Sequence, residues 1–152
     1  MLGLSMQRWR VFEVVAGALL AAALQTIVVR APQANLTLEV ARSEAQREHG
    51  LMDRTSVAAH TGMIFVFERD EPVEFWMKDT LVPLDMIFIG ADGTVRRVYA
   101  NVPVVSSTLP DDQIPREGAQ AKYVIELRAG EAAQDGIRDG VKLDLHDVPA
   151  TD

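Results

Sequence analysis

Apolar and polar positions change rhythm several times along the chain, and each change predicts an element. Residues 14–29 carry no charge and are rich in Ala, Leu and Val. That run lies between a secretory apolar segment of about 7 to 15 residues and a spanning helix of about 20. Leu36, Leu38 and Val40 then alternate with Thr37 and Glu39, the period of a strand with one buried face. Ser43, with Gln46 three residues on, makes a capping-box pattern that opens a short helix, and Gly50 closes it. Residues 62–67, 73–77 and 84–89 are apolar at both parities, as strands covered on two faces must be. Asp92-Gly93 predicts a tight hairpin joining 87–89 to 95–99. Further strands are expected at 123–127 and 141–145, with a helical turn at 131–135 between them.

About seven short strands and two short helices predict a mainly β domain, because no helical pattern is long enough for regular parallel crossovers. The expected architecture is an antiparallel jelly-roll-like sandwich or barrel, preceded by an N-terminal apolar export or anchor helix. The division falls into 1–31, signal peptide or membrane anchor, and 32–152, a single β-rich domain. Residues 102–120 hold Pro103, Pro110 and Pro115 and form a connection longer than structure alone requires. A functional loop and a disordered excursion are the two readings of it.

The first segment bears on location. Arg8 and Arg10 ahead of the apolar run favour an N-terminus left in the cytoplasm, with the rest exported. Ala21-Ala22-Ala23 offers small residues to a peptidase. The expectation is a periplasmic or secreted protein, or one anchored to the inner membrane by this segment. A buried helix of a cytosolic domain is the alternative, with Glu13 in its favour.

Composition then removes several function classes. The chain has 152 residues and no cysteine, so thiol catalysis, thiolate metal sites and disulfides are excluded. Its net charge is −7. Setting residues 1–31 aside removes Arg8, Arg10 and Arg30 but only Glu13, which leaves −9. An acidic domain repels nucleic acid and anionic headgroups, so no nucleic-acid partner is expected, and a membrane is met only through the N-terminal segment if it is retained. The ligand is expected to be a small molecule or saccharide, neutral or cationic, or anionic only through a local basic pocket. The pattern carries no signal for oligomeric state.

The densest chemistry lies in Phe75-Trp76-Met77-Lys78-Asp79-Thr80, followed by Pro83-Leu84-Asp85. Trp76 and Lys78 share strand parity, so a ring and an ammonium project together, either to stack a planar ligand or as a core Trp with a Lys at its rim. Asp85 shares a face with Ile87 and Ile89, and Glu126 shares one with Val124 and Arg128. A carboxylate entering an apolar layer must find donors, find a cation, or change its pKa. Asp85 and Glu126 are the candidate catalytic pair. They are also candidates for a hard-cation site and, ahead of catalysis, for buried ion pairs with Lys78 and Arg54. His49, His60 and His146 show no metal-ligand spacing, and no serine-nucleophile elbow or dinucleotide fingerprint is present, so no metal and no cofactor are expected.

His49-Gly50-Leu51-Met52 with Arg54, then Gly62-Met63-Ile64-Phe65-Val66-Phe67, the Trp76 block, Pro83-Leu84-Asp85 and Tyr123-Val124-Ile125-Glu126-Leu127 with Gly130, resemble the signature of the Domain of Unknown Function 192 family. The resemblance runs in order from about Leu36 to Leu145. It departs at His49, where the family usually has Arg, and at Asp79, where Asn is commoner. It implies a compact β-rich, jelly-roll-like domain, often behind a signal peptide, and no established activity. The leading expectation is an exported binding module whose cleft is lined by Arg54, Trp76, Lys78, Asp79, Thr80, Asp85 and Glu126. Its competitors are an envelope hydrolase using the carboxylate pair, and a structural or chaperone-like protein acting through a sheet edge.

Overall fold

The structure, a computed structural model, describes residues 23–152, and the expected N-terminal helix lies outside the described residues. Among the described residues no helix is long and apolar enough to cross a membrane. The chain runs β1 (Thr26–Arg30), β2 (Asn35–Ala41), α1 (Glu44–His49), β3 (Thr61–Trp76), β4 (Leu84–Ile89), β5 (Val95–Val102), a 3-10 turn at Asp111–Gln113, β6 (Arg116–Arg128) and α2 (Glu131–Gln134). The strands form one six-stranded sheet in the order β1-β2-β3-β6-β4-β5, with β2 and β3 parallel and the other pairs antiparallel. The protein is therefore mainly β with two short helices, as expected. The sheet is open, with β1 and β5 at its edges, so of the expected sandwich or barrel the closed barrel is not formed.

Three elements depart from the sequence reading. The strand Thr26–Arg30 takes in the end of the uncharged run, because Ile27 and Val29 face the core while Val28 is 61% exposed. The sheet thus begins before the boundary drawn at residue 32. Residues 62–67 and 73–77 belong largely to one long strand, β3, whose two apolar stretches both pair with β6. The charged stretch between them bulges: four residues, 67–70, stand opposite Lys122 alone. Residues 141–145 make only a single bridge, Thr94 to Lys142. Leu143 and Leu145 are buried there without a ladder.

The hairpin and helix signals hold as local chemistry predicts. Gly93 takes φ +83° between β4 and β5, and the Asp92 carboxylate accepts the Thr94 N–H at 3.0 Å. Ser43 Oγ accepts the Gln46 N–H, and Gln46 Oε1 accepts the Ser43 N–H at 3.1 Å.

The sheet is covered on both faces, which explains the continuous apolar runs. On one face Leu36, Leu38, Ile64, Ile87, Ile125 and Leu127 pack beneath α2 and the C-terminal segment. On the other, Met63, Phe65, Met86, Phe88 and Val124 pack beneath Leu51, Val73 and Met77. Edge-on aromatic contacts tie this second layer together, Phe75 lying 4.8 Å from Phe65 and 5.8 Å from Phe88. All six residues of β4 are buried, so every side chain on it meets protein on both faces.

Candidate functional site

The two acids that interrupt these apolar strands diverge. In the β4–β6 register Asp85 stands opposite Leu127 and Glu126 opposite Met86. Directly opposed residues share a face, so Asp85 enters the layer under α2 while Glu126 enters the other. The carboxylate pair expected from the sequence is not assembled, because a one-step difference in register sends two side chains to opposite faces.

Asp85 is fully engaged. Its Oδ1 accepts the N–H groups of Asn101 at 2.8 Å and Gly130 at 3.1 Å, and its Oδ2 accepts that of Ala132 at 2.9 Å. Asn101 lies in a bulge of β5, where the register slips between Leu84 and Met86 and its φ is 54°. One buried carboxylate therefore caps a bulge and the start of α2. That is a structural role, and at 0% exposed the carboxylate is out of a ligand's reach.

Glu126 is the converse. It is 5% exposed and receives no hydrogen bond among the described residues, and burial alone pushes its pKa up to about 8. It forms the floor of an open cleft of about 400 Å³ between α1 and the sheet. Phe67, Phe75, Trp76 and Thr80 line the cleft with it. Arg116, which pairs with Trp76 in the β3–β6 register, sets its guanidinium 4.2 Å from the indole centroid, and Lys78 Nζ lies 5.2 Å from the same ring. Trp76 and Lys78 thus do project together, with the ring braced by two cations. Lys78 also bonds Asp111 at 2.6 Å, an ion pair that raises its pKa. It ties the Pro-rich connection, reduced to 103–115 by the early start of β6, to the cleft rim.

The remaining expected residues lie outside the cleft. Arg54 makes a bidentate pair with Glu39, at 2.6 and 2.8 Å, which holds the Glu39 carboxyl below the usual range. Glu39, Met63 and Glu126 form one row across β2, β3 and β6, so Met63 stands between the Arg54 pair and the cleft floor. Asp79 is exposed in a turn with φ 50°, a conformation that Asn and Asp tolerate best among residues with a Cβ, and its carbonyl accepts the Asp53 N–H at 2.9 Å. Of the seven candidates, the fold brings Trp76, Thr80 and Glu126 to the cleft and Lys78 to its rim.

The sequence reading missed the α1 side of the site. Arg47, His49 and Met52 line the cleft there, as do Glu71 and Glu74 from β3. Arg47 is braced by the carbonyls of Arg42, at 2.6 Å, and Val66, at 3.0 Å, and lies 5.2 Å from the Phe67 centroid. The available signal was the block His49-Gly50-Leu51-Met52 at the end of α1.

Two solved structures resemble this chain in fold. A protein described as a candidate transcription regulator from Sinorhizobium meliloti 1021 is 37% identical, with a TM-score of 0.69, over 80% of this chain and 95% of its own. A protein of unknown function from Novosphingobium aromaticivorans DSM 12444 is 31% identical, with a TM-score of 0.69, over 82% of this chain and 88% of its own. No curated protein matches. The profile of Domain of Unknown Function 192, described as "Uncharacterized ACR", matches residues 27–145, from inside β1 through the whole sheet and past α2. With cleft, sheet and Asp85 cap all inside that match, the chain belongs to the Domain of Unknown Function 192 family.

Proposed function

We propose that this protein is an exported binding module whose cleft takes a small neutral or cationic molecule, such as a saccharide or an amine, against Glu126 and the aromatic wall. The observation that carries this reading is Glu126 itself, a buried carboxyl without a protein donor that opens into a cleft. A polar group of this kind is costly unless a ligand or ordered water meets it. Near neutral pH it can donate as well as accept a hydrogen bond. Charge favours the ligand class: Glu44, Glu48, Glu71, Glu74 and Glu126 on the lining outnumber its two arginines, of which Arg47 is held by backbone carbonyls and Arg116 stacks on the Trp76 ring. The same acidity argues against carrying the Sinorhizobium protein's description to this chain, since nucleic acid binding needs clustered Lys and Arg.

Thermal-shift measurements with neutral saccharides, polyamines and small anionic metabolites test this. Stabilisation by a neutral or cationic class, reduced in Glu126→Gln and Trp76→Ala, is expected. No response from any class, or an equal response to anions, would sink it.

The length of the leader supports export. With Thr26–Val29 given to β1, the uncharged run left over is 14–25, within the range of a secretory segment and short of the about 20 residues a spanning helix needs. Cleavage after Ala21-Ala22-Ala23 would leave β1 whole. N-terminal sequencing of the protein from the cell envelope should find a start between residues 22 and 26; a start at Met1 contradicts cleavage.

A second reading draws on the same carboxyl. A group with a pKa of about 8 stays protonated at neutral pH, as a general acid must, so an envelope hydrolase using Glu126 without Asp85 fits the geometry. Turnover of a chromogenic glycoside or ester that disappears in Glu126→Gln would favour it.

A further inference from the structure

On the face away from the cleft, three residues far apart in sequence converge. His60 precedes β3, while Glu131 and Asp135 lie 71 and 75 residues further on, at α2. His60 Nδ1 is 3.0 Å from Glu131 Oε1 and 3.3 Å from Asp135 Oδ2, and one donor atom from each residue lies within 4.8 Å of the others. The sequence pointed to no metal, because His49, His60 and His146 show no metal-ligand spacing. The tertiary fold supplies the ligands from elsewhere.

Two observations distinguish this group from an ordinary ion-pair cluster. The first is the state of Asp135. Its side chain is 3% exposed, its only side-chain partner among the described residues is the His60 ring, and its Oδ1 receives no hydrogen bond from them. A carboxylate buried to that degree normally has several donors. The second is charge. Asp85, Glu131 and Asp135 are 0%, 0% and 2% exposed around the same turn of chain, and Asp85 is met by backbone N–H groups alone. Arg128, paired with Glu131 Oε2, is the one Lys or Arg in an ion pair with any of these three among the described residues. Three buried carboxyl groups around one guanidinium make a turn whose charge a divalent cation would complement.

We propose that His60, Glu131 and Asp135 form a binding site for a divalent first-row transition ion of the zinc type. One imidazole and two carboxylates suit such an ion better than Mg²⁺ or Ca²⁺, which prefer all-oxygen shells. Ligands at about 2.0 to 2.2 Å from a tetrahedral zinc stand roughly 3.3 to 3.5 Å from one another; the two His60 distances lie near that spacing, and all three atoms lie within 4.8 Å of one another. The arrangement around them is that of a supported site. The Arg128 guanidinium holds the second Glu131 oxygen. The His60 backbone is held on both sides, its carbonyl accepting the Thr37 N–H at 2.8 Å and its N–H donating to Glu131 Oε1 at 3.3 Å. The His60 side chain is 51% exposed, so solvent and an incoming ion reach the group from its side. The ion would clamp the start of β3 to α2. It lies across the sheet from Glu126, so the two sites are independent.

The test uses the full, untagged chain after treatment with a chelator. Zn²⁺ should bind in calorimetry with a stoichiometry of one and raise Tm, while Mg²⁺ and Ca²⁺ do neither. Co²⁺ should give a visible d–d spectrum that Zn²⁺ abolishes. His60→Ala and Asp135→Asn should each remove the spectrum and weaken Zn²⁺ by more than the about 10- to 100-fold expected for loss of an outer-shell partner. Circular dichroism of the metal-free variants shows whether they fold. If Asp135→Asn fails to fold, the exposed His60→Ala decides alone. His146→Asn is the control, since His146 meets Asp144 and Asp147 at 2.6 and 3.0 Å on the open surface. Absence of Zn²⁺ binding, binding that survives His60→Ala, or binding lost in His146→Asn would each overturn the site.

Discussion

Asp85 and Glu126 stand one register step apart on neighbouring strands and point to opposite faces of the sheet. That step separates two chemical fates. Asp85 meets three backbone N–H groups and becomes part of the scaffold, while Glu126 meets none and becomes the floor of the cleft.

Glu126 should couple stability to pH. Its folded pKa of about 8 lies above the ordinary 4.5, so between these values the native state holds a proton that the unfolded chain has released. Stability from this group is complete below about pH 4.5 and is lost as pH rises through about 8, by about 1.4 kcal/mol for each unit of pKa difference. Glu126→Gln cannot ionise and should flatten that decline, becoming the more stable protein near pH 9. Urea melts from about pH 5 to about pH 9 measure it. Equal slopes for the two proteins would show that Glu126 does not carry the proton.

Asp85→Asn should act on folding rather than on binding. The amide offers one acceptor oxygen and turns an NH₂ toward backbone donors, leaving one or two buried N–H groups unmet at about 1 to 3 kcal/mol each. Chemical denaturation should register a loss of about 3 kcal/mol, with the cleft's ligand preference unchanged among the molecules that remain folded. A stable variant with altered ligand response would move Asp85 into the site.

Lys78→Ala should free the Pro-rich connection. The ammonium joins Asp111 to the Trp76 ring, so its loss untethers 103–115 from the rim while the sheet stays intact. Limited proteolysis should cut that segment faster in the variant, and Asp111→Ala should behave alike. Unchanged cutting in both would show that other contacts hold the loop.

Gly62→Ala should be among the most damaging single changes. A Cβ at Gly62 would lie 2.0 Å from the Glu126 carbonyl oxygen, so β3 and β6 would have to separate beneath the cleft floor. A loss of at least about 3 kcal/mol is expected, the range of severe overpacking. Thermal melts check it. A near-neutral result would mean that the strands yield easily here.

Local pattern carried much of the architecture. The capping box at Ser43 and Gln46, the Asp92-Gly93 hairpin and the strand at 84–89 all depend on neighbours a few residues apart and appear where the pattern puts them, and 123–127 lies within the longer β6. Failures arose where an element's identity depends on a distant partner. Thr26–Arg30 reads as part of an apolar leader until β2 pairs with it, and residues 141–145 read as a strand although no neighbour offers a full ladder.

The same division holds for chemistry. Which residues are polar intruders in apolar strands is a property of the chain, and Asp85 and Glu126 were visible as such, beside the block from Phe75 to Thr80. Which face each intruder reaches, and what stands opposite it, depends on interstrand register and on contacts 71 to 75 residues apart, as at His60. Periodicity reports the environment within one strand. Only the packed sheet decides that Asp85 caps backbone, that Met63 shields Arg54 from Glu126, and that a histidine with no ligand near it in sequence faces two buried carboxylates, because side-chain geometry across strands is set by tertiary pairing.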